Sequence, residues 1–281
     1  MVGRAQANKR LHGRVWTING FEIRYICMAE AKIRAITFDL WDTVFVDDSD
    51  EPKRADQGLA AKPIERRNLI EKFLKQTNPV ARELLDVAYD TTDVAFRQAW
   101  YGQNITWTVH ERLAVLFKSL DRQLPPGQMD ELVRLHEDME LGPRPDIASG
   151  VGQALKELHG RYRLGVISDT IFSPGRALRQ LLEHYDLLKY FDSFVFSDEI
   201  GFAKPTPALF ETAARQLGVE LAEVVHIGDR EAKDIAGPHG VGAKAILCTV
   251  VKDRGSENTK ADAICRNFED LPSIMEEMNR E

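Results

Sequence analysis

The sequence has no clustered run of lysine and arginine, and it carries a formal net charge of -7 with a pI near 5.6. Nucleic acid, whose phosphates demand a basic face, is therefore excluded as a partner. It also lacks any apolar stretch long enough to span a bilayer, and its N-terminus has no continuous hydrophobic segment of the secretory kind. Membrane is excluded and a cytoplasmic location is expected. Cysteine is scarce: Cys27, Cys248 and Cys265 lie far apart with no CxxC spacing. They give neither a disulfide framework nor a zinc site, and they read as small buried apolar residues of a reducing compartment. The histidines form no HExxH pair, and Gly150-Val151-Gly152 has neither the spacing nor the context of a dinucleotide fingerprint or a P-loop.

What is present is an ordinary globular composition, 43% hydrophobic and 29% charged over 281 residues. That is enough for a full core and a smaller second domain. From residue 32 onward, short apolar runs recur and each stops at a polar or acidic residue. Residues 33–38 stop at Asp39, residues 164–167 at Ser168-Asp169, residues 194–196 at Ser197-Asp198, and residues 224–227 at Gly228-Asp229. Runs of this length suit strands buried on both faces, with amphipathic helices at 152–159, 174–187, 207–217 and 231–237 as crossovers. Ser173-Pro174 and Thr206-Pro207 each offer a helix cap followed by proline at the first helical position. Further strands are expected at 243–248 and 263–265. The pattern is a parallel α/β sheet, whose ligands bind beyond the carboxyl ends of the strands.

Residues 46–146 break the alternation. They show helical periodicity over 63–75, 79–100, 109–120 and 128–139, and no clear strand. A loop of that length without structure is rare, so an inserted all-helical domain is expected, with the α/β core formed by 32–45 and 147–281. Residues 1–31 stand apart. Asn19-Gly20 sits between two short β-prone runs, which signals a hairpin. The competing and preferred expectation treats them as sequence preceding a start at Met28, without assigned function.

Four strand-end signals occur in a fixed order, and together they resemble the haloacid dehalogenase (HAD) superfamily. Thr37-Phe38-Asp39-Leu40-Trp41-Asp42-Thr43 is similar to its DxDxT motif, and Val166-Ile167-Ser168 to its second motif. Gly201-Phe202-Ala203-Lys204-Pro205 is similar to its lysine motif, and Ile227-Gly228-Asp229-Arg230-Glu231-Ala232-Lys233-Asp234 to its acidic motif. The resemblance implies a Rossmann-like parallel core with a helical cap inserted after the first motif. It implies a Mg²⁺-dependent hydrolase of a small phosphorylated, hence anionic, metabolite. Asp39 would attack phosphorus to give an aspartyl phosphate that water hydrolyses, while Lys204 neutralises and Ser168 hydrogen-bonds the phosphoryl oxygens. The metal would be held by Asp39, Asp229, the backbone carbonyl of Trp41 and, directly or at one remove, Asp234. Thr43, Asp169 and Arg176 are expected around the substrate. Nothing in the pattern sets an oligomeric state.

One departure bears on the chemistry. Trp41 stands where phosphatases of the family carry the Asp that protonates the leaving group. Three readings stay open: a phosphohydrolase favouring good leaving groups, a carbon-halogen or carbon-phosphorus hydrolase, and a binding module that does not turn over. The intact Gly228-Asp229 and Asp234 count against a dehalogenase, and so does Asp169, which would repel halide. A carbon-phosphorus hydrolase would need a lysine to form an imine, for which Lys53, Lys62 and Lys72 are placed by location alone.

Each residue also has an ordinary structural role to set beside the chemical one. Asp39, Lys204 and Asp229 could be salt-bridged strand ends, and Ser168 a cap. Asp42 is read as tightening a turn rather than as a displaced acid, and Thr43 as a supporting hydrogen bonder. Trp41 suits substrate stacking and packing equally. Trp100, Tyr101 and Trp107 are read as packing between helices, and His226 as a structural strand residue. Arg54, Arg66, Arg67 and Arg176 could steer an anion, though arginine is by default a solvated surface residue.

Overall fold

The computed structural model describes the strands at 15–18 and 21–24 and the residues from 32 to 280. Two compact units emerge, one containing these first two strands and one spanning Lys32–Arg280. In the first, β1 (Val15–Ile18) pairs antiparallel with β2 (Phe21–Arg24), the hairpin that Asn19-Gly20 signals. Asn19, Gly20, Cys27 and Met28 themselves lie outside the described residues.

The second unit is built on six parallel strands: β3 (Ala35–Phe38), β4 (Arg163–Ser168), β5 (Ser193–Phe196), β6 (Val224–Gly228), β7 (Lys244–Cys248) and β8 (Ala263–Cys265). Their spatial order is β5-β4-β3-β6-β7-β8. Every residue of β3 and β6 is buried, as the uninterrupted apolar runs require of strands covered on both faces. The chain fills the sheet on one side of β3 and then returns to its other side at β6. That reversal opens a crevice at the carboxyl end of β3, where Asp39 follows.

Between β3 and β4 the chain forms α1 (Asp50–Asp56), α2 (Lys62–Thr77), α3 (Arg82–Gln103), α4 (Val109–Ser119) and α5 (Pro126–Glu137). The helix α1 was not indicated by periodicity, since its sequence is almost wholly polar. Thr108 and Glu111 start α4 with a reciprocal capping box. Ile70, Leu74, Leu85, Leu113, Leu116 and Leu132 form an apolar cluster within these helices. The helices are tied to the sheet: Thr106 N donates to Gly201 O at 3.1 Å, Ala203 N to Asn104 O at 2.7 Å, and Arg112 Nη1 to Ile171 O at 2.8 Å. Phe172 from the loop after β4 also packs into their apolar cluster.

The remaining helices α6 (Val151–Leu158), α7 (Gly175–His184), α8 (Ser197–Ile200), α9 (Pro207–Leu217), α10 (Ala236–Gly240) and α11 (Leu271–Met278) belong to the sheet. Pro207 does open α9, with Thr206 preceding it. Ser173 does not cap α7, because its hydroxyl is turned to Glu140 instead. The expected helix at 231–237 divides into a π-turn at Glu231–Ile235 followed by α10. Cys248 and Cys265, far apart in sequence, occupy paired positions on β7 and β8 as buried free thiols. No helix of the described residues is long and apolar enough to cross a membrane.

His136 in α5 gives the fold a pH dependence. Its ring is 2% exposed, and Nδ1 lies 2.8 Å from the Leu132 carbonyl, so Nδ1 carries the proton and Nε2 is left without a partner. Burial, with Arg66 and Arg112 nearby, holds its pKa down to about 4 against an ordinary 6.5. Between those values the unfolded chain takes up a proton that the native state refuses, so stability falls as pH drops through that window. The loss approaches about 3 kcal/mol. Urea unfolding of wild type and His136→Gln across this range is expected to show the variant losing less stability; parallel curves would contradict the assignment.

Candidate active site

Asp39 leaves β3 with its backbone N–H still in the ladder, donating to Ile227 O at 2.8 Å. Its carboxylate therefore emerges beside the end of β6, where Asp229 follows. Asp39, Asp229 and Asp234 each offer one oxygen to a common point, all within 4.8 Å of one another, and all three are buried. Lys204 reaches the same point from the loop before α9. Its Nζ is 2.9 Å from Asp39 Oδ1 and 2.6 Å from Asp234 Oδ1. The lysine is 1% exposed; burial opposes its charge, but Asp234, Asp39 and Asp169 outweigh it and raise its pKa.

The turn after β6 is shaped to admit Asp234. A Cβ on Gly228 would lie 2.4 Å from the Asp234 carboxyl carbon, so only glycine permits this approach. Asp234 accepts from Lys204, from Arg230 N at 2.9 Å and from His226 Nε2 at 3.2 Å. A carboxylate can only accept, so His226 carries its proton on Nε2, leaving Nδ1 to accept from the Thr37 hydroxyl at 2.9 Å. Burial keeps His226 below its ordinary pKa and hence neutral. It is a strand residue, as expected, and it also orients Asp234. Burial opposes ionisation of Asp234 too, yet Lys204 and His226 hold its carboxyl well below the usual range.

Asp39 and Asp229 respond oppositely. Burial raises the Asp39 carboxyl, with Lys204 opposing and Asp234 adding. Burial and the two neighbouring carboxylates push Asp229 up to about 6. Asp229 accepts from Arg254 Nε on one oxygen, while its Oδ1 is buried with no hydrogen-bond partner. Converging carboxylate oxygens, one of them unpaired, suit a hard divalent cation of the Mg²⁺ type.

The cavity above this cluster measures about 310 Å³ and is lined from both sheet and helices, including Trp41, Lys62, Arg66, Trp100, Glu140 and Phe172. Trp41 is half-buried, lining the cavity while packing on Phe45 at 5.8 Å. Trp100 is more than helix packing: Lys233 Nζ sits 3.4 Å from its ring centre while bonding Asp169 Oδ2 at 2.5 Å. Asp169 also accepts from Lys204 N at 2.8 Å and lines the cavity. Asp47 also lines the cavity, its carboxyl pushed up to about 6 by partial burial and by Asp48, Asp42 and Glu140.

The other sequence candidates fall elsewhere. Ser168 is fully buried at the end of β4, its hydroxyl 3.5 Å from Asp169 O. Thr43 is fully buried with an unpaired hydroxyl, and it is not among the cavity residues. Arg176 is turned to Glu137 and Asp138 outside the cavity. Asp42 adopts φ +53° and accepts from Arg254 Nη2 at 2.6 Å and from Asp47 N at 3.2 Å, bracing the turn as expected. Arg54 is buried on the Ala60 carbonyl and Arg67 pairs with Asp90, so neither faces the cavity. Arg254 and Glu140 were not singled out from sequence, because charged residues outside motifs carry no positional signal, and Lys233, although within the acidic motif, was given no role there.

Removing the lysine while leaving its carboxylates would strand buried charge. Lys204→Met is expected to destabilise the protein by about 3–5 kcal/mol in denaturant unfolding without divalent metal. A change below about 1 kcal/mol would show that Lys204 is not their counter-ion.

Comparison with known proteins places this arrangement in a family. The haloacid dehalogenase-like hydrolase family matches residues 33–242. A glyceraldehyde 3-phosphate phosphatase of Methanopyrus kandleri is 29% identical over 262 residues, covering 89% of this chain and 95% of its own. One from Pyrococcus furiosus is 24% identical over 250 residues, with 89% and 95% covered. Among solved structures, a 2-haloacid dehalogenase from Pseudomonas syringae superposes with a TM-score of 0.62 at 23% identity, over 88% of this chain and 99% of that one, and so shares the fold. Because the family match runs through most of the chain and takes in all four strand-end motifs, the chain belongs to the haloacid dehalogenase-like hydrolases.

Proposed function

We propose that the chain is a Mg²⁺-dependent phosphohydrolase of a small phosphorylated metabolite, working through an aspartyl phosphate on Asp39. The observation that carries this reading is the convergence of Asp39, Asp229 and Asp234 around the buried Lys204 ammonium. The glyceraldehyde 3-phosphate phosphatases similar to this chain along nearly all of its length support it.

Asp39 and Asp229 would hold Mg²⁺ with the Trp41 carbonyl, the Asp229 Oδ1 being free to do so. Both oxygens of Asp234 already accept hydrogen bonds, which suits it to fixing Lys204 as much as to ligation. When bound, Mg²⁺ supplies positive charge that keeps the carboxylates ionised and neutralises the phosphoryl group. Asp39 attacks phosphorus, forming the acyl phosphate as the ester P–O bond breaks and the leaving oxygen departs with the bonding electrons, to be protonated by solvent or by the Asp47 carboxyl. Water then attacks the same phosphorus, releasing phosphate and restoring the carboxylate. Lys204, 2.9 Å from Asp39, meets the phosphoryl oxygens during both steps, while Ser168, fully buried at the end of β4 and not among the cavity residues, would support the turn that carries Asp169. Thr43, buried behind the turn, would support it, while Asp169 fixes Lys204 and Lys233 rather than binding substrate. Arg176, paired outside the cavity, is left out of the site.

Trp41 has no proton for the leaving group. Asp47, on the cavity wall with its pKa near 6, holds one on a minority of molecules at neutral pH. Residues 46–146 act in this reading as the cap that selects substrate, since Lys62, Arg66, Arg97, Trp100 and Glu140 line the cavity together with Asp39. The three lysines named for an imine route to carbon-phosphorus cleavage are poorly suited to it. Lys62 lies among Asp48, Asp50 and Glu140 and is raised above its ordinary pKa, although burial opposes this. Lys53 is bound to Asp146 and Arg144 O, and Lys72 is exposed outside the cavity. Halide displacement has no use for a three-carboxylate cluster.

Release of p-nitrophenol from its phosphate ester is expected to require Mg²⁺ and to be abolished in Asp39→Asn; metal-independent turnover, or turnover surviving the substitution, would sink the proposal. Trp41→Asp, which restores a carboxyl at the family's acid position, is expected to raise the rate on alkyl phosphates by about 10²-fold. An unchanged or lower rate would show that Trp41 is not simply a missing acid.

A further inference from the structure

The basic side chains lining the cavity are Lys62, Arg66, Arg97, Lys204, Arg230 and Lys233. All but one have an acidic partner. Lys62 meets three carboxylates, Arg97 meets Asp93, Lys204 meets Asp39 and Asp234, Lys233 meets Asp169, and Arg230 lies 3.8 Å from Asp229. Among the described residues Arg66 has no ion pair and no hydrogen bond to its guanidinium, although it is only 6% exposed. Its Nε is buried and unpaired, and its guanidinium carbon lies 3.4 Å from the centre of the Phe172 ring.

A buried cation is retained at a cost, and the face of one aromatic ring offsets only part of it. Stacking on Phe172 covers a face of the guanidinium and leaves its donors, which lie in the plane, pointing edge-on. That is the approach of a planar, bidentate acceptor. Arg66 carries one unpaired charge, which a carboxylate matches, whereas a second phosphate would bring nearly two.

We propose that Arg66 receives a carboxylate at the end of the substrate remote from the phosphoryl group, so that the preferred substrates are small phosphorylated carboxylic acids. This rests on the phosphohydrolase reading above. It places recognition on α2, whose first turns also carry Lys62, and the reacting phosphorus at Asp39, which lines the same cavity.

The test compares kcat/KM, with Mg²⁺, for 3-phosphoglycerate, glyceraldehyde 3-phosphate and propane-1,3-diyl bisphosphate. The first two share a skeleton and differ in carboxylate against aldehyde. Wild type is expected to favour the carboxylate by at least about tenfold. Arg66→Met is expected to lower the carboxylate-to-aldehyde ratio by about 10²-fold, chiefly through KM, and Arg66→Lys by less, because it keeps the charge and loses the fork. Should Arg66→Met not fold, Arg66→Lys carries the comparison, together with thermal stabilisation of wild type and Arg66→Lys by phosphonoacetate, which should be weaker in the variant. A ratio unmoved by either substitution, or a preference for the bisphosphate, overturns the carboxylate site. Turnover of p-nitrophenyl phosphate keeps that failure separate: if wild type hydrolyses it while the ratio stays fixed, only the role of Arg66 falls, and if wild type hydrolyses none of these esters, the parent reading falls with it.

Discussion

A single ammonium group organises the molecule's chemistry. Lys204 is buried between Asp39 and Asp234, and its backbone N–H is fixed by Asp169. Three strand ends are thereby tied to one charge. Without it, three carboxylates gathered within 4.8 Å would protonate or repel one another, and even with it Asp39 and Asp229 remain above their ordinary pKa. The site is thus under-neutralised, a condition that favours uptake of one more cation and then of an anion.

The sheet makes that gathering possible with little loop engineering. Reversal of strand order around β3 leaves the carboxyl ends of β3 and β6 side by side, so Asp39 and Asp229 need only follow their strands to meet. Lys204 and Asp234 arrive on the connections into α9 and α10, where Gly228 leaves room for the Asp234 carboxyl. The helices inserted between β3 and β4 contribute further lining, and Phe172 ties the two parts by packing among them while supporting Arg66. Both sets of lining residues therefore belong to one compact unit, Lys32–Arg280.

The central sheet and its strand-end residues were legible in the sequence because they are encoded locally. An apolar run that stops at an acid reports both a buried strand and what stands at its end, and the four motifs fix the order. The limits of legibility are equally physical. Arg254 reaches Asp42 across 212 positions of chain, and Lys62 meets Glu140 across 78, pairings that no local pattern announces. Ser173 reads as a helix cap by its neighbour Pro174, yet its hydroxyl is drawn to Glu140. Arg66 was readable as steering an anion or as a solvated surface residue, and local sequence could not show that tertiary packing buries it unpaired. Arg176, expected around the substrate, is instead paired with Glu137 and Asp138 outside the cavity, a long-range pairing that its sequence neighbours do not announce.

If the under-neutralised cluster is what the fold is built to present, its affinity for a divalent cation is the property to measure. Calorimetric titration of the wild-type protein with Mg²⁺ at neutral pH should show one site per chain, weakened at least about tenfold in Asp229→Asn, in which a ligating charge is removed. Equal binding by the two proteins, or none by the wild type, would contradict the account.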